Sequence, residues 1–196
     1  YKRQIEDRGV EWFKSELNSR LGWTLDAPHD FDFESTTDRY GWNQDPDGKW
    51  NFGLFVEGGR LRTKARSALC KIASTVDCQF RLTANQNLVI ARIDEDAKSM
   101  VQDAFHEFGV DDPSSYSALR LNSIACTALP TCSLALAESE RYLPSLIDEL
   151  DNIIDKFDLR DESIAIRSTG CPNGCGRPYL GEIGLVGKSP GKYNLY

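Results

Sequence analysis

Six cysteines stand in this 196-residue chain, and four of them form two close pairs. Cys126 and Cys132 are spaced C-x5-C in ACTALPTC, and Cys171 and Cys175 are spaced C-x3-C in TGCPNGCGRP. Thiolates gathered in this way hold soft metal, and four of them complete the ligand set of an iron–sulfur cluster. Structural zinc is the rival, because zinc knuckles commonly run C-x2-4-C. The second pair fits that range and the first lies outside it, so the spacing leans to a cluster and leaves zinc open. In CPNGC, Pro172 stiffens the loop and Gly174 admits a positive φ just before the second thiol. Backbone N–H groups of such a loop can turn inward and stabilise negative charge on cluster sulfur, with Asn173 as an added donor.

The remaining thiols read differently. Cys70 falls on the apolar stripe of an expected helix and Cys78 leads into an expected strand, so both are read as small hydrophobes. Three disulfides are the alternative, but the density is low and the chain has apolar residues enough to form a core without staples. His29 and His106 have no metal-ligating neighbour in sequence, and no catalytic role is assigned to them.

The formal net charge of −7 argues against nucleic acid or an anionic membrane as partner. A local exception is Arg60, Arg62, Lys64, Arg66 and Lys71, a basic run with no acid among its charged members. It reads either as a solvated helix entrance or as a patch facing an anionic group, for which Arg60, Arg62 and Arg66 have suitable forked donors. Uninterrupted apolar runs reach about four residues, as at 134–137, far short of a membrane span. The chain opens at Tyr1 without Met and stops at Tyr196 inside an expected strand, so both ends are read as cut.

The elements that must carry the cysteines follow from periodicity. Val10, Phe13, Leu17 and Leu21 recur at helical spacing before Gly22, and residues 23–38 read as a loop. Trp50, Phe52, Leu54 and Val56 alternate as a half-buried strand, paired with one near Trp42 through the Asp45-Pro46-Asp47-Gly48 turn. A helix follows with Ala65, Ala68, Leu69, Ile72 and Val76 inward, then strands at 80–84 and 88–93. Next comes a helix with Ala97, Met100, Val101, Ala104, Phe105 and Phe108 inward, entered at Asp94 and stopped at Gly109. Asp112-Pro113-Ser114-Ser115 marks a boundary. Beyond it a short helix is expected over 133–141, and a longer one carries Leu143, Ile147, Leu150, Ile154 and Phe157, with Pro144 in its first turn. Strands are expected at 163–168, 182–186 and 192–196. The pattern predicts an α+β fold of mixed and antiparallel sheets with helices packed on them. Its domains are 1–38 (helix and loop), 39–112 (ferredoxin-like) and 113–196 (the cysteine-bearing part, truncated at its C-terminus).

The wording around the cysteines resembles the hemoprotein (beta) subunit of assimilatory sulfite reductase, in the siroheme nitrite/sulfite reductase family. Besides the two cysteine motifs, RLTANQNLVIA (81–91), LALAESERYLPS (134–145) and GLVGKSPGKYNL (184–195) carry the likeness, which covers nearly the whole chain. The resemblance implies that this is the second half-repeat of a pseudo-twofold enzyme. It implies a [4Fe–4S] cluster on Cys126, Cys132, Cys171 and Cys175, with Cys175 also the proximal ligand of siroheme iron. It implies that Asn85 and Gln86 lie against the cofactor, and that Arg177 pairs with a siroheme carboxylate or with Glu182. The activity implied is the six-electron reduction of sulfite to sulfide in cytoplasmic sulfur assimilation, with an NADPH-dependent flavoprotein as partner. The basic residues that bind sulfite are expected upstream of Tyr1. Siroheme nitrite reduction and a non-catalytic cluster or zinc module are the alternatives.

Overall fold

The computed structural model describes residues 2–30, 32 and 37–196; residues 31 and 33–36, in the expected loop, lie outside the described residues. The chain divides into two units, 1–36 and 37–196. The first contains helices α1 (Lys2–Arg8) and α2 (Val10–Leu21), the latter closed by Gly22 in the left-handed conformation. The apolar stripe expected for α2 is not buried within its unit: Val10, Phe13 and Leu21 are all exposed. Its surface is tied along the helix by Lys14–Glu11 and Arg20–Glu16 pairs.

In the second unit, strands β1 (Gly41–Gln44), β2 (Trp50–Leu54), β3 (Gln79–Leu82) and β4 (Leu88–Ile93) form an antiparallel sheet of order β1-β2-β4-β3. The DPDG turn closes the first hairpin, with Asp45 N–H donating to Lys49 O and Gly48 N–H to Asp45 O. Helices α3 (Thr63–Thr75) and α4 (Lys98–Phe108) cover this sheet. Their Ala68, Leu69, Ile72, Val101, Ala104 and Phe105 form one core with Phe52, Leu54, Leu88, Ile90 and Ile93. The inward alternation of β4 breaks where Arg92 takes φ 67 and the register against β2 slips, so Ile93 returns to the core in place of Arg92.

Two positions expected on inward stripes, Met100 and Cys70, are exposed, and β3 lies open at the sheet edge. All four β3 residues are exposed, because β3 is the sheet edge and the central strands lie under the helices; Phe80 and Leu82 therefore face out. Met100 is exposed on α4, one residue away from the buried Val101. Cys70 is exposed too, lying just outside the Leu69–Ile72 stripe.

After a short helix α5 (Ala118–Asn122), strand β5 (Ile124–Ala125) starts a second sheet. Helix α6 (Leu143–Ile154) follows, with Pro144 in its first turn, then β6 (Ile166–Thr169), β7 (Ile183–Ser189) and β8 (Lys192–Leu195). The order is β5-β6-β7-β8; β5, β6 and β7 run parallel and β8 returns antiparallel. Leu143, Ile147 and Ile154 pack on Leu119, Ala125 and Ile166 as a second core, while Phe157 at the end of the expected stripe is exposed. No helix forms over 133–141. Its backbone donors go to distant carbonyls instead: Leu136 and Ala137 both donate to Gly170 O, and Glu140 donates to Cys126 O. Among the described residues, no helix is long and apolar enough to cross a membrane.

Candidate metal centre

Parallel pairing brings the two cysteine motifs together. Ala125 lies beside Ser168 across β5 and β6, so the chain leaves both strands at the same end of the sheet, with Cys126 on one side and Cys171 on the other. Cys126 N–H donates to Ser168 O at 3.0 Å, which extends the pairing by one residue. The loop then turns through Ala128 (φ 50) and the cis Leu129–Pro130 bond to Cys132, whose N–H donates to Ala128 O at 2.8 Å.

The second loop threads against the first. A Cβ on Gly176 would stand 2.0 Å from Ser168 O and 3.4 Å from Cys126 N, so only glycine lets this backbone pass. Cys175 is thus brought to the side of Cys126. Gly174, at φ 70, makes the turn that delivers it. Cys171 is buried, Cys126 and Cys132 are partly buried, and Cys175 is exposed. Cys126 Sγ accepts hydrogen bonds from Gly170 N–H at 3.2 Å and from the Thr169 hydroxyl at 3.5 Å. Among the described residues, no three Cys, His, Asp or Glu side chains gather closely enough to share one ion. Cys78 packs half-buried against the first core, and burial followed by the charge of Asp77 pushes its thiol pKa up.

The first sheet holds these loops through the TANQNL turn. Gln86 Nε2 donates to Ala125 O at 2.8 Å, one residue ahead of Cys126. Arg177, two residues past Cys175, donates from Nη2 to Ala84 O at 2.8 Å and to Asn85 Oδ1 at 3.0 Å. It does not pair with Glu182, whose carboxylate accepts from Ala165 N–H at 2.8 Å. Asn85 Nδ2 in turn donates to Asp38. A third link comes from the basic run: Arg60 forks onto Glu140. Lys71 pairs with Glu107, so this member of the run is on a helix–helix contact and away from the cysteines. A cleft of about 380 Å³ opens beside Thr127, walled by Gly58, Gly59, Arg60, Gln86 and Glu140.

Several residues of this neighbourhood carry no sequence signal. Asn87 is buried, accepts from Val56 N–H through Oδ1 and donates through Nδ2 to Asp38 and Tyr40. Ser139 and Ser168 are buried against each other at 2.8 Å. Arg167 lies on β6 with Nε and Nη1 buried and without hydrogen-bond partners. Burial, and then the charge of Arg177, lower its pKa, while Glu182, Tyr40 and Asp38 oppose that shift. Arg167 therefore sits, with part of its guanidinium unpartnered, on the strand that leads to Cys171.

The nitrite/sulfite reductase ferredoxin-like half domain matches residues 43–108, the segment of the first sheet and its helices. Beyond that segment, the whole chain is similar to proteins named as sulfite reductases. Among its relatives, the sulfite reductase [NADPH] hemoprotein beta-component of Paenibacillus sp. (strain JDR-2) is 54% identical over the whole chain. The protein of that name from Bacillus subtilis (strain 168) is 50% identical over the same extent. The chain spans about a third (35%) of the length of each. Of solved structures, Mycobacterium tuberculosis NirA superposes with a TM-score of 0.74 at 26% identity, over 94% of this chain and 34% of that one. Dissimilatory sulfite reductase I shares the fold, with a TM-score of 0.52 at 14% identity, over 88% of this chain and 42% of that one. The α+β architecture is thus that of these reductases.

Proposed function

We propose that this chain is the cofactor-ligating portion of an assimilatory sulfite reductase that reduces sulfite to sulfide. Residues 39–112 act as a ferredoxin-like clamp and 113–196 as the part that ligates metal. Cys126, Cys132, Cys171 and Cys175 hold one [4Fe–4S] cluster, and Cys175 also binds siroheme iron. When bound, these groups supply single-electron delivery and an iron for the substrate's sulfur, the chemistry that a six-electron reduction needs. The observation that carries the reading is the interlock of the two cysteine loops, with Gly176 seated between Ser168 O and Cys126 N.

The residues fit these groups on three counts. Cys126 Sγ already accepts two hydrogen bonds, as a ligand thiolate does. Cys175 is exposed between two glycines while Cys171 is buried, so a large planar group has room at Cys175. Arg167, whose Nε and Nη1 are buried without partners, and Arg177, two residues past Cys175, are cations suited to a tetrapyrrole rich in carboxylates. Gln86, Asn85 and Arg177 hold the loops in place from the first sheet, so that binding does not have to order them. The partner is an NADPH-dependent flavoprotein, in line with the name borne by the relatives.

Single Cys→Ser substitutions in the full-length protein test this. Each of Cys126, Cys132, Cys171 and Cys175 is expected to be needed for visible absorption and for iron and sulfide content, whereas Cys70→Ser and Cys78→Ser retain both. Full iron and sulfide in all four variants would overturn the proposal. Stoichiometric zinc with no visible absorption would replace it by a structural zinc module.

A further inference from the structure

We infer that Thr169 is a positioning residue that sets the reduction potential of the cluster through Cys126. The inference rests on the cluster assignment proposed above. Thr169 is the last residue of β6 and its side chain is fully buried. Its hydroxyl lies 3.5 Å from Cys126 Sγ and 3.4 Å from Cys171 O. For an O–H donor the carbonyl contact is long, since good O–H···O bonds are about 2.7–2.8 Å. Sulfur is a larger acceptor, and 3.5 Å is an ordinary contact for it, so the proton goes to Cys126.

Gly170 N–H donates to the same sulfur at 3.2 Å. Among the described residues, the Cys132, Cys171 and Cys175 sulfurs accept no hydrogen bond, so Cys126 is the distinguished ligand. A donor on a ligand thiolate draws off negative charge. The reduced cluster, with one more electron, gains more from this than the oxidised one, and the potential rises. Burial keeps water from replacing a lost hydroxyl, so the effect is not compensated. The Gly170 donor is backbone and cannot be removed by changing a side chain. The Thr169 hydroxyl can.

The test compares Thr169→Val, Thr169→Ala and Thr169→Ser in the full-length holoprotein, by iron and sulfide content and by a redox titration followed by EPR of the reduced cluster. Normal cluster content in all three is expected, with the midpoint moved to more negative potential in T169V and T169A and kept near wild type in T169S. Equal midpoints in wild type and T169V would overturn the inference. So would loss of the cluster in T169V and T169A with retention in T169S, since the hydroxyl would then serve assembly and not potential. Absence of a cluster from the wild-type protein would instead sink the parent proposal.

Discussion

The Glu140 carboxylate takes both edges of the Arg60 guanidinium, Nε to Oε1 at 2.6 Å and Nη2 to Oε2 at 2.9 Å, while its own N–H donates to Cys126 O at 3.0 Å. The loop of the first cysteine is thereby fastened to a residue 80 positions earlier. The two ends of the pair are unequal, because the Glu140 side chain is 12% exposed and that of Arg60 is 50% exposed. Removing the arginine strands a largely buried carboxylate, whereas removing the carboxylate leaves an arginine that water can solvate. Arg60→Ala should therefore lower the denaturation midpoint more than Glu140→Gln does. Arg60→Lys should fall short of wild type, since an ammonium cannot reproduce the fork. Urea titrations of the three variants check this, and a larger loss in Glu140→Gln would contradict it.

Gly176→Ala should be among the costliest small changes in the chain. The added methyl meets backbone, Ser168 O at 2.0 Å and Ser168 C at 2.9 Å, and neither can swing aside as a side chain would. Ser168 O is also the acceptor for Cys126 N–H, so relief of the clash would spoil the strand-end contact that positions Cys126. Overpacking of this kind costs about 1–3 kcal/mol. The variant should show a matching loss in unfolding free energy together with reduced iron content.

What was legible in the sequence divides along a physical line. Local periodicity is written into the chain, so α3, α4 and α6, the DPDG hairpin and the parallel strand leading to Cys171 are all readable from side-chain type. The four paired cysteines are readable for the same reason, since their spacing within each loop is local. The partners of Arg60 and Arg177 are not, because each lies at least 80 residues away and many carbonyls or carboxylates would satisfy the same guanidinium. Residues 133–141 carry helical spacing, yet the Gly170 and Cys126 carbonyls outcompete the local bonds. Thr169 is invisible because threonine in a strand is what β propensity alone would supply.

The second core offers a direct contrast on one helix. Ile147 on α6 is 2% exposed and packs on Leu119, Ala125 and Ile166, while Ile153 on the same helix is 46% exposed. Ile147→Ala should cost about 2–5 kcal/mol, the range for a large aliphatic truncated in a core. Ile153→Ala should stay within about 0.5 kcal/mol of wild type. Chemical denaturation of both variants measures the difference, and similar losses would mean that α6 packs by a different face.

Tyr40 should impose an alkaline limit on stability. Its hydroxyl donates to Leu121 O at 2.6 Å and accepts from Asn87 Nδ2 at 3.0 Å, linking β1's approach to the end of α5. Burial, and then the negative charge of Asp38, hold its pKa above the ordinary tyrosine value, with Asn87 and Arg167 opposing. In the unfolded chain the group ionises near a pH of about 10. Above that pH the unfolded state loses the proton while the folded state keeps it, so the unfolded state is favoured. The contribution of Tyr40 is complete below pH of about 10 and is lost as pH rises toward the raised folded value. Tyr40→Phe removes this dependence but leaves Leu121 O without its donor, at a cost of about 1–3 kcal/mol near neutrality. Tyr116 and Tyr193 are also raised, so the variant keeps some alkaline slope of its own. The reading is therefore the difference in urea midpoint between wild type and Tyr40→Phe, taken at pH of about 8 and again above about 10. The gap should narrow at the higher pH. A gap that stays constant would show that Tyr40 ionises alike in the folded and unfolded chains.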